Sequence, residues 1–132
     1  MIKRVICFVI ALAVTVLAVA CGKDEEDDGL GYEIITQKEA KALMESEEDF
    51  VILDVRTESE FAEKRISGAI LIPYDEIEAR AESELKDKDQ LILVYCRSGR
   101  RSKIAAESLA KLGYTNVKEF GGINDWEYGT VS

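Results

Sequence analysis

Leu91-Ile92-Leu93-Val94-Tyr95-Cys96-Arg97-Ser98-Gly99-Arg100-Arg101-Ser102, followed by Lys103-Ile104-Ala105-Ala106-Glu107-Ser108-Leu109-Ala110-Lys111-Leu112-Gly113, is the stretch from which the rest of the chain is read. Leu91 to Tyr95 is an unbroken apolar run, the pattern of a strand covered on both faces. Lys103 to Leu112 is helical in period: Ala105, Leu109 and Leu112 fall at i, i+4 and i+7, and Gly113 supplies the stop. A strand, a tight loop and a helix N-terminus therefore follow one another directly.

The same alternation extends in both directions. Upstream, Thr36-Gln37-Lys38-Glu39 has the form of a capping box and opens a helix to about Ser46. Phe50 to Leu53 is a strand ending in Asp54-Val55-Arg56, and Thr57-Glu58-Ser59-Glu60 is a second capping box that starts a short helix. Ala69 to Ile72 reads as a short buried strand stopped by Pro73, the single proline, and Asp75 to Leu85 as a helix with Ile77 and Leu85 inward. Downstream, Val117 to Phe120 is a last strand, followed by Gly121-Gly122 and a short helix around Trp126. Strands alternating with helices predict an α/β fold, a mostly parallel sheet flanked by helices. Sites in such sheets lie outside the carboxyl ends of strands, which here means after Asp54 and Tyr95.

The loop after Tyr95 is unusual in charge. Arg97, Arg100 and Arg101 crowd a cysteine, and Gly99 permits a positive φ. A short loop feeding a helix can turn its backbone N–H groups toward one centre, and the helix dipole adds positive potential there. Helix N-termini and neighbouring cations favour thiolate over thiol. The chain of 132 residues contains no histidine, which excludes a Cys-His pair, a Ser-His-Asp triad and a His-ligated metal site. Activation of Cys96 by field is what remains. A core cysteine continuing the apolar strand is the plain alternative, but a core position has no use for three arginines within five residues.

The first 20 residues form a separate unit. Lys3 and Arg4 precede an apolar run, Val5 to Ala20, interrupted only by Thr15, which is a secretory signal pattern. At 16 residues the run is shorter than the roughly 18–20 of a spanning helix, the alternative reading. Leu17-Ala18-Val19-Ala20-Cys21-Gly22 resembles the lipobox of bacterial lipoproteins. The resemblance implies cleavage before Cys21, a lipid thioether on its sulfur, and an exported protein held on a membrane with its domain in the periplasm or otherwise outside the cytoplasmic membrane. Residues 21–31 then form an acidic tether, Lys23 to Gly31 being charged and glycine-bearing, and residues 32–132 form one domain. Three cysteines resolve accordingly: Cys7 leaves with the signal, Cys21 carries lipid, and Cys96 is left alone. The whole chain has 17 basic and 26 acidic residues; without Lys3 and Arg4 the charge is −11, which disfavours nucleic acid as a partner and suits a soluble, monomeric domain.

From about Tyr32 to Gly129 the residues resemble the single-domain rhodanese sulfurtransferases. The carriers are Leu53-Asp54-Val55-Arg56 with Glu60-Phe61, Ile66-Ser67-Gly68-Ala69, Ile72-Pro73, the loop Cys96 to Ser102, and Gly121-Gly122 with Trp126. The resemblance implies a five-stranded sheet and a Cys96 persulfide that carries sulfur from a small anionic donor such as thiosulfate to cyanide or a thiol, with no cofactor. It implies that amides from Arg97 to Ser102 cradle the persulfide. Arg97 and Arg100 would meet the donor, Arg101 would close the loop and Ser102 would cap the helix. Asp54 and Arg56 either support the loop or form a strand-end turn with a surface ion pair; support is the expectation for Asp54, while Arg56 can face the mouth and recruit anions. The sequence departs from the family at Glu63-Lys64-Arg65-Ile66, where Gly-His commonly precedes the isoleucine, and at Leu71, where asparagine is usual. The departures bear on local packing.

Two other readings compete. Cysteine phosphatases and arsenate-reducing relatives also use a thiolate in a basic loop, but they place an arginine six residues after the cysteine. Here that position is Ser102 and Arg101 comes one earlier. A rhodanese-like module that binds a protein or senses an anion on the cell envelope, without catalysis, is the other.

Overall fold

A computed structural model describes residues 29–132; the signal segment, Cys7 and Cys21 lie outside the described residues. Five parallel strands stand in the order β1-β5-β4-β2-β3, with β1 at Glu33–Ile34, β2 at Phe50–Asp54, β3 at Ile70–Leu71, β4 at Leu91–Cys96 and β5 at Val117–Gly122. The helices are α1 (Gln37–Ser46), α2 (Glu58–Glu63), α3 (Ile77–Glu84) and α4 (Arg100–Lys111).

Strand β4 is central, and every one of its residues is buried. Its side chains alternate between two cores. Ile92, Val94 and Cys96 join Ala105, Ala106 and Leu109 of α4 with Ile77 and Ala81 of α3; Leu91, Leu93 and Tyr95 join Ala40 of α1 and Phe120. The continuous apolar run of the sequence is thus a strand with no solvent face. The carboxyl end of β4 lies where the strand order reverses, with β2 on one side and β5 on the other, the position at which open α/β sheets leave a crevice.

Both capping boxes form. Thr36 accepts from Glu39 N and Thr57 from Glu60 N, and in each case the glutamate accepts from the cap's own N–H. Five expectations shift. A fifth strand, β1, precedes α1; at two exposed residues it is too short to show a period. Strand β3 is an edge strand, not a buried one, and Ile70 is 40% exposed. The stretch expected as one helix from Asp75 splits into a 3₁₀ turn, Tyr74–Glu76, and α3, while a 3₁₀ turn at Ile123–Asp125 stands just before Trp126 in place of a helix around it. Helix α4 starts at Arg100, a turn before the apolar period begins, because its first turn is polar and its N-cap is Gly99.

The unusual Glu63-Lys64-Arg65-Ile66 segment is held by its backbone. Lys64 O accepts from Arg56 Nη2 at 2.6 Å, Ile66 N donates to Tyr95 Oη at 3.1 Å, and Arg65 forms an antiparallel bridge with Val131. The Arg65 guanidinium also lies 4.8 Å from the centre of the Phe61 ring.

Candidate functional site

Cys96 ends β4 fully buried, and Gly99, three residues on, turns the chain with φ 108° into α4. That turn aims the Gly99 N–H at the sulfur, 3.0 Å from Sγ, so the sulfur lies at the positive end of α4. Among the loop amides of the described residues, this one hydrogen-bonds Sγ itself. Ser102 Oγ lies 3.4 Å from Sγ. Ser102 is not the N-cap expected from sequence: it is the third residue of α4, inside the first turn, and its hydroxyl points back toward the Gly99 carbonyl at 3.0 Å and to Glu119 Oε1 at 2.6 Å.

The three arginines divide. Arg97 and Arg100 are exposed and form no ion pair among the described residues. Arg97 borders a hollow of about 180 Å³ of mixed charge, shared with Arg56 and Lys64 and with Glu60 and Glu63. Arg101 instead holds Glu60 through two bonds, Nη1 to Oε1 at 2.8 Å and Nη2 to Oε2 at 3.1 Å, and so ties α4 to the start of α2. Ser98 is exposed at the loop tip.

Asp54 and Arg56 lie beneath the loop. Arg56 donates to both carboxylate oxygens of Asp54, from Nε at 3.0 Å to each and from Nη2 at 2.7 Å to Oδ2. With only 3% of its surface exposed, Arg56 is directed inward, and its place at the mouth is limited to the edge of the Arg97 hollow. Tyr95 donates to Asp54 Oδ2 at 2.6 Å; burial first, and then this bond, raise the phenol well above its ordinary range.

The loop is also braced from β5. Glu119 registers with Val94 but Gly122 with Cys96, so β5 carries an extra residue there, a bulge of the kind that re-aims backbone beside sites. Asn124 N donates to Arg97 O at 3.1 Å. A Cβ built on Gly122 would stand 2.1 Å from Arg97 O and 2.6 Å from Ser98 Cα, both backbone atoms. The φ of Gly122 is −124°, so contact alone, not backbone conformation, demands glycine. Gly122→Ala is therefore expected to push the Cys96 loop from its place, change the rate at which Cys96 is modified and destabilise the fold by about 1–3 kcal/mol. Rates of thiol alkylation and urea unfolding check this; a wild-type rate would show that the contact does not set the loop.

Glu60 yields a pH prediction. The Arg101 hydrogen bonds, aided by those from Thr57, lower its carboxyl from 4.5 to about 2. A carboxyl lowered on folding adds stability that is complete above the unfolded value and is lost as pH falls toward the folded one. The stability gap between wild type and Glu60→Gln should thus be widest at neutral pH and close between about pH 4.5 and 2. Urea midpoints measured across that window test it; a constant gap would deny the coupling.

Two features of the site are not marked by any sequence motif: Glu119, buried on β5 beside Ser102, and the pairing of Glu60 with Arg101. Glu119 had one signal: it shares the strand face of Val117, an inward position.

A parallel α/β domain that presents a single buried thiol from the head of a helix, with arginines around it, defines a class of cysteine-loop proteins. The comparisons narrow the class. The sequence pattern of the Rhodanese-like domain matches residues 36–128, and the chain belongs to that family. It is 38% identical over 73 residues to the thiosulfate sulfurtransferase PspE of Escherichia coli, covering 55% of this chain and 70% of that one. A sulfurtransferase of Allochromatium vinosum is 39% identical over 80 residues, 60% of this chain and 73% of the other. The chain spans 56% of the putative sulfur carrier protein YrkF of Bacillus subtilis, at 34% identity. Among solved structures, the Alr3790 protein of Anabaena superposes with TM-score 0.68 at 30% identity over 74% of this chain and 91% of that one. Sulfur transfer is the general activity that the names of PspE and the Allochromatium protein carry.

Proposed function

We propose that this protein is a sulfurtransferase that carries sulfane sulfur as a persulfide on Cys96, taking it from an anionic donor such as thiosulfate and passing it to a thiol or to cyanide. The observation that carries the reading is the sulfur at the end of the central strand, 3.0 Å from a helix-terminal N–H, in a loop that also carries two exposed arginines without ion pairs among the described residues. Cys96 Sγ attacks the outer sulfur of thiosulfate, the sulfur–sulfur bond breaks, and sulfite leaves with the electron pair. Arg97 and Arg100 draw the doubly charged donor in, and the Gly99 amide supports the negative sulfur that results. The names of PspE and the Allochromatium protein support the reaction class. A solved E. coli rhodanese described as holding anions, 35% identical with TM-score 0.58 over 62% of this chain and 96% of that one, supports the donor's charge.

Phosphoryl transfer is disfavoured on geometry: Arg101, the arginine next to the position those enzymes need, is bound to Glu60. The lipid on Cys21 and the place outside the cytoplasmic membrane are part of the same proposal and rest on the lipobox pattern alone.

Incubation of the purified protein with thiosulfate, followed by mass spectrometry, should add one sulfur to the peptide containing Cys96, and cyanide should remove it as thiocyanate. No adduct and no thiocyanate would overturn the proposal. Protein taken from membranes should carry acyl mass on Cys21.

A further inference from the structure

We propose that Glu119 is a positioning residue that holds the proton of the Cys96 thiol through Ser102, and that it returns that proton in the second half of turnover. The use in turnover rests on the sulfurtransferase reading; the proton path does not.

The path is a chain of three buried groups. Sγ donates to Ser102 Oγ at 3.4 Å, and Ser102 donates to Glu119 Oε1 at 2.6 Å. Cys96 and Ser102 are 0% exposed and Glu119 1%. A serine hydroxyl has one proton to give. Two acceptors are in reach, the Gly99 carbonyl at 3.0 Å and Glu119 at 2.6 Å, and the shorter lies in the range of a hydroxyl donating to a carboxylate. With its proton committed there, Ser102 turns a lone pair to the sulfur and accepts the thiol proton.

Glu119 has no ion pair among the described residues, in contrast to Asp54, which has Arg56. Its protein donors, Ser102 and the Gly121 N–H at 2.8 Å, both meet Oε1. A buried carboxylate without a cation is costly to hold. Passing a proton from Sγ to Ser102, and the serine's own proton to Glu119, moves the negative charge onto the sulfur and leaves the charge of the interior unchanged. Ser102 then donates to the thiolate it formerly accepted from. Glu119 also borders a cleft of about 400 Å³ with Gly99, Gly121 and Gln37, through which its proton can exchange with solvent.

Protons and charge are conserved in both halves. In the first, Cys96 thiol, thiosulfate and ionised Glu119 become the Cys96 persulfide anion, sulfite and neutral Glu119. In the second, a thiol acceptor takes the outer sulfur and leaves as a hydropersulfide, keeping its own proton. The Cys96 sulfur departs with the electron pair of the broken bond and receives the Glu119 proton through Ser102. Other charges act on the pair: Arg101 of α4 on the sulfur, Lys103 of α4 and Asp125 on the Glu119 cleft, and the neutralised Asp54–Arg56 pair beside β4.

The test reads the thiol without any sulfur donor. Iodoacetamide alkylation of Cys96, followed by mass spectrometry of its peptide, is timed across about pH 5 to 9 in the wild type, Glu119→Gln and Ser102→Ala. Two groups sharing a proton titrate as a pair, in two steps with a plateau between them. The wild-type rate should show that plateau. Glu119→Gln keeps the acceptor oxygen but cannot take a proton, so its profile should follow one ionisation step, with no plateau. Ser102→Ala should show the same single step, and it reads the path even if Glu119→Gln fails to fold. Profiles of one shape in all three proteins would overturn the proposal. The thiosulfate adduct reports separately on sulfur transfer, so the two readings fail independently.

Discussion

Cys96→Ser is expected to bring thiosulfate-dependent thiocyanate formation down to the level of buffer, while the protein unfolds at nearly the wild-type urea concentration. The chemical reason is that a serine oxygen cannot form the persulfide. The structural reason concerns the space. Sγ is fully buried and bounded by the Gly99 N–H at 3.0 Å and Ser102 Oγ at 3.4 Å, so a hydroxyl placed there finds a donor and an acceptor ready. A satisfied polar group costs little, and the stability change should stay within about 1–2 kcal/mol. The variant also separates sulfur transfer from mere anion binding. Arg97, Arg100 and the helix terminus are untouched, so thiosulfate should still bind by calorimetry while no sulfur is added to the protein. Thiocyanate formed by Cys96→Ser at the wild-type rate would remove Cys96 from the chemistry and leave the non-catalytic module as the better reading.

What the sequence disclosed follows the physics of each element. Strand β4 was legible because burial on both faces writes a continuous apolar run, and α1 and α2 because capping boxes mark their starts residue by residue. Strand β1 was not, since two exposed residues carry no pattern and gain their place from pairing with Lys118 and Glu119. The start of α4 carries no sequence mark because its cap is a glycine conformation and not a side chain. In the site, Cys96 and its arginines stood together in one loop and so could be read at once. The pairing of Arg101 with Glu60 could not, because 41 residues separate them and only the fold brings the first turns of α2 and α4 within side-chain reach. Glu119 was masked for a related reason. In sequence it is one of 26 acidic residues, and only the sheet register makes it a buried neighbour of Ser102. Gly122 lay in a recognised Gly-Gly pair, but the steric cause of its being glycine is the Arg97 carbonyl of another element.

Arg56→Ala is expected to be the most destabilising single change at the site, by about 3–5 kcal/mol, because it strands Asp54 as a buried charge. Asp54 is 0% exposed and now accepts from the Arg56 backbone N–H at 2.9 Å, from Nε and Nη2 of the same residue, and from Tyr95 Oη at 2.6 Å. Alanine keeps the backbone and tyrosine donors but removes the whole positive charge. It also frees the Lys64 carbonyl that Nη2 held at 2.6 Å, loosening the segment after α2. In a domain of this size each kcal/mol lowers Tm by roughly 4–8 °C, so the loss should be evident in thermal unfolding at neutral pH. The pair's net worth is a separate quantity from the cost of breaking it. Asp54→Asn with Arg56→Met removes both charges together, and that double variant should lose clearly less than Arg56→Ala alone, since no unpaired charge is left inside. The consequence for function runs through register: Asp54 pairs with Tyr95 across β2 and β4, and Tyr95 immediately precedes Cys96. Alkylation of Cys96 well below the unfolding midpoint should therefore change in rate in Arg56→Ala and recover in the double variant. A loss under about 1 kcal/mol would mean that the Asp54 charge is relieved by solvent, and that the strand ends beneath the loop are more open than their burial states.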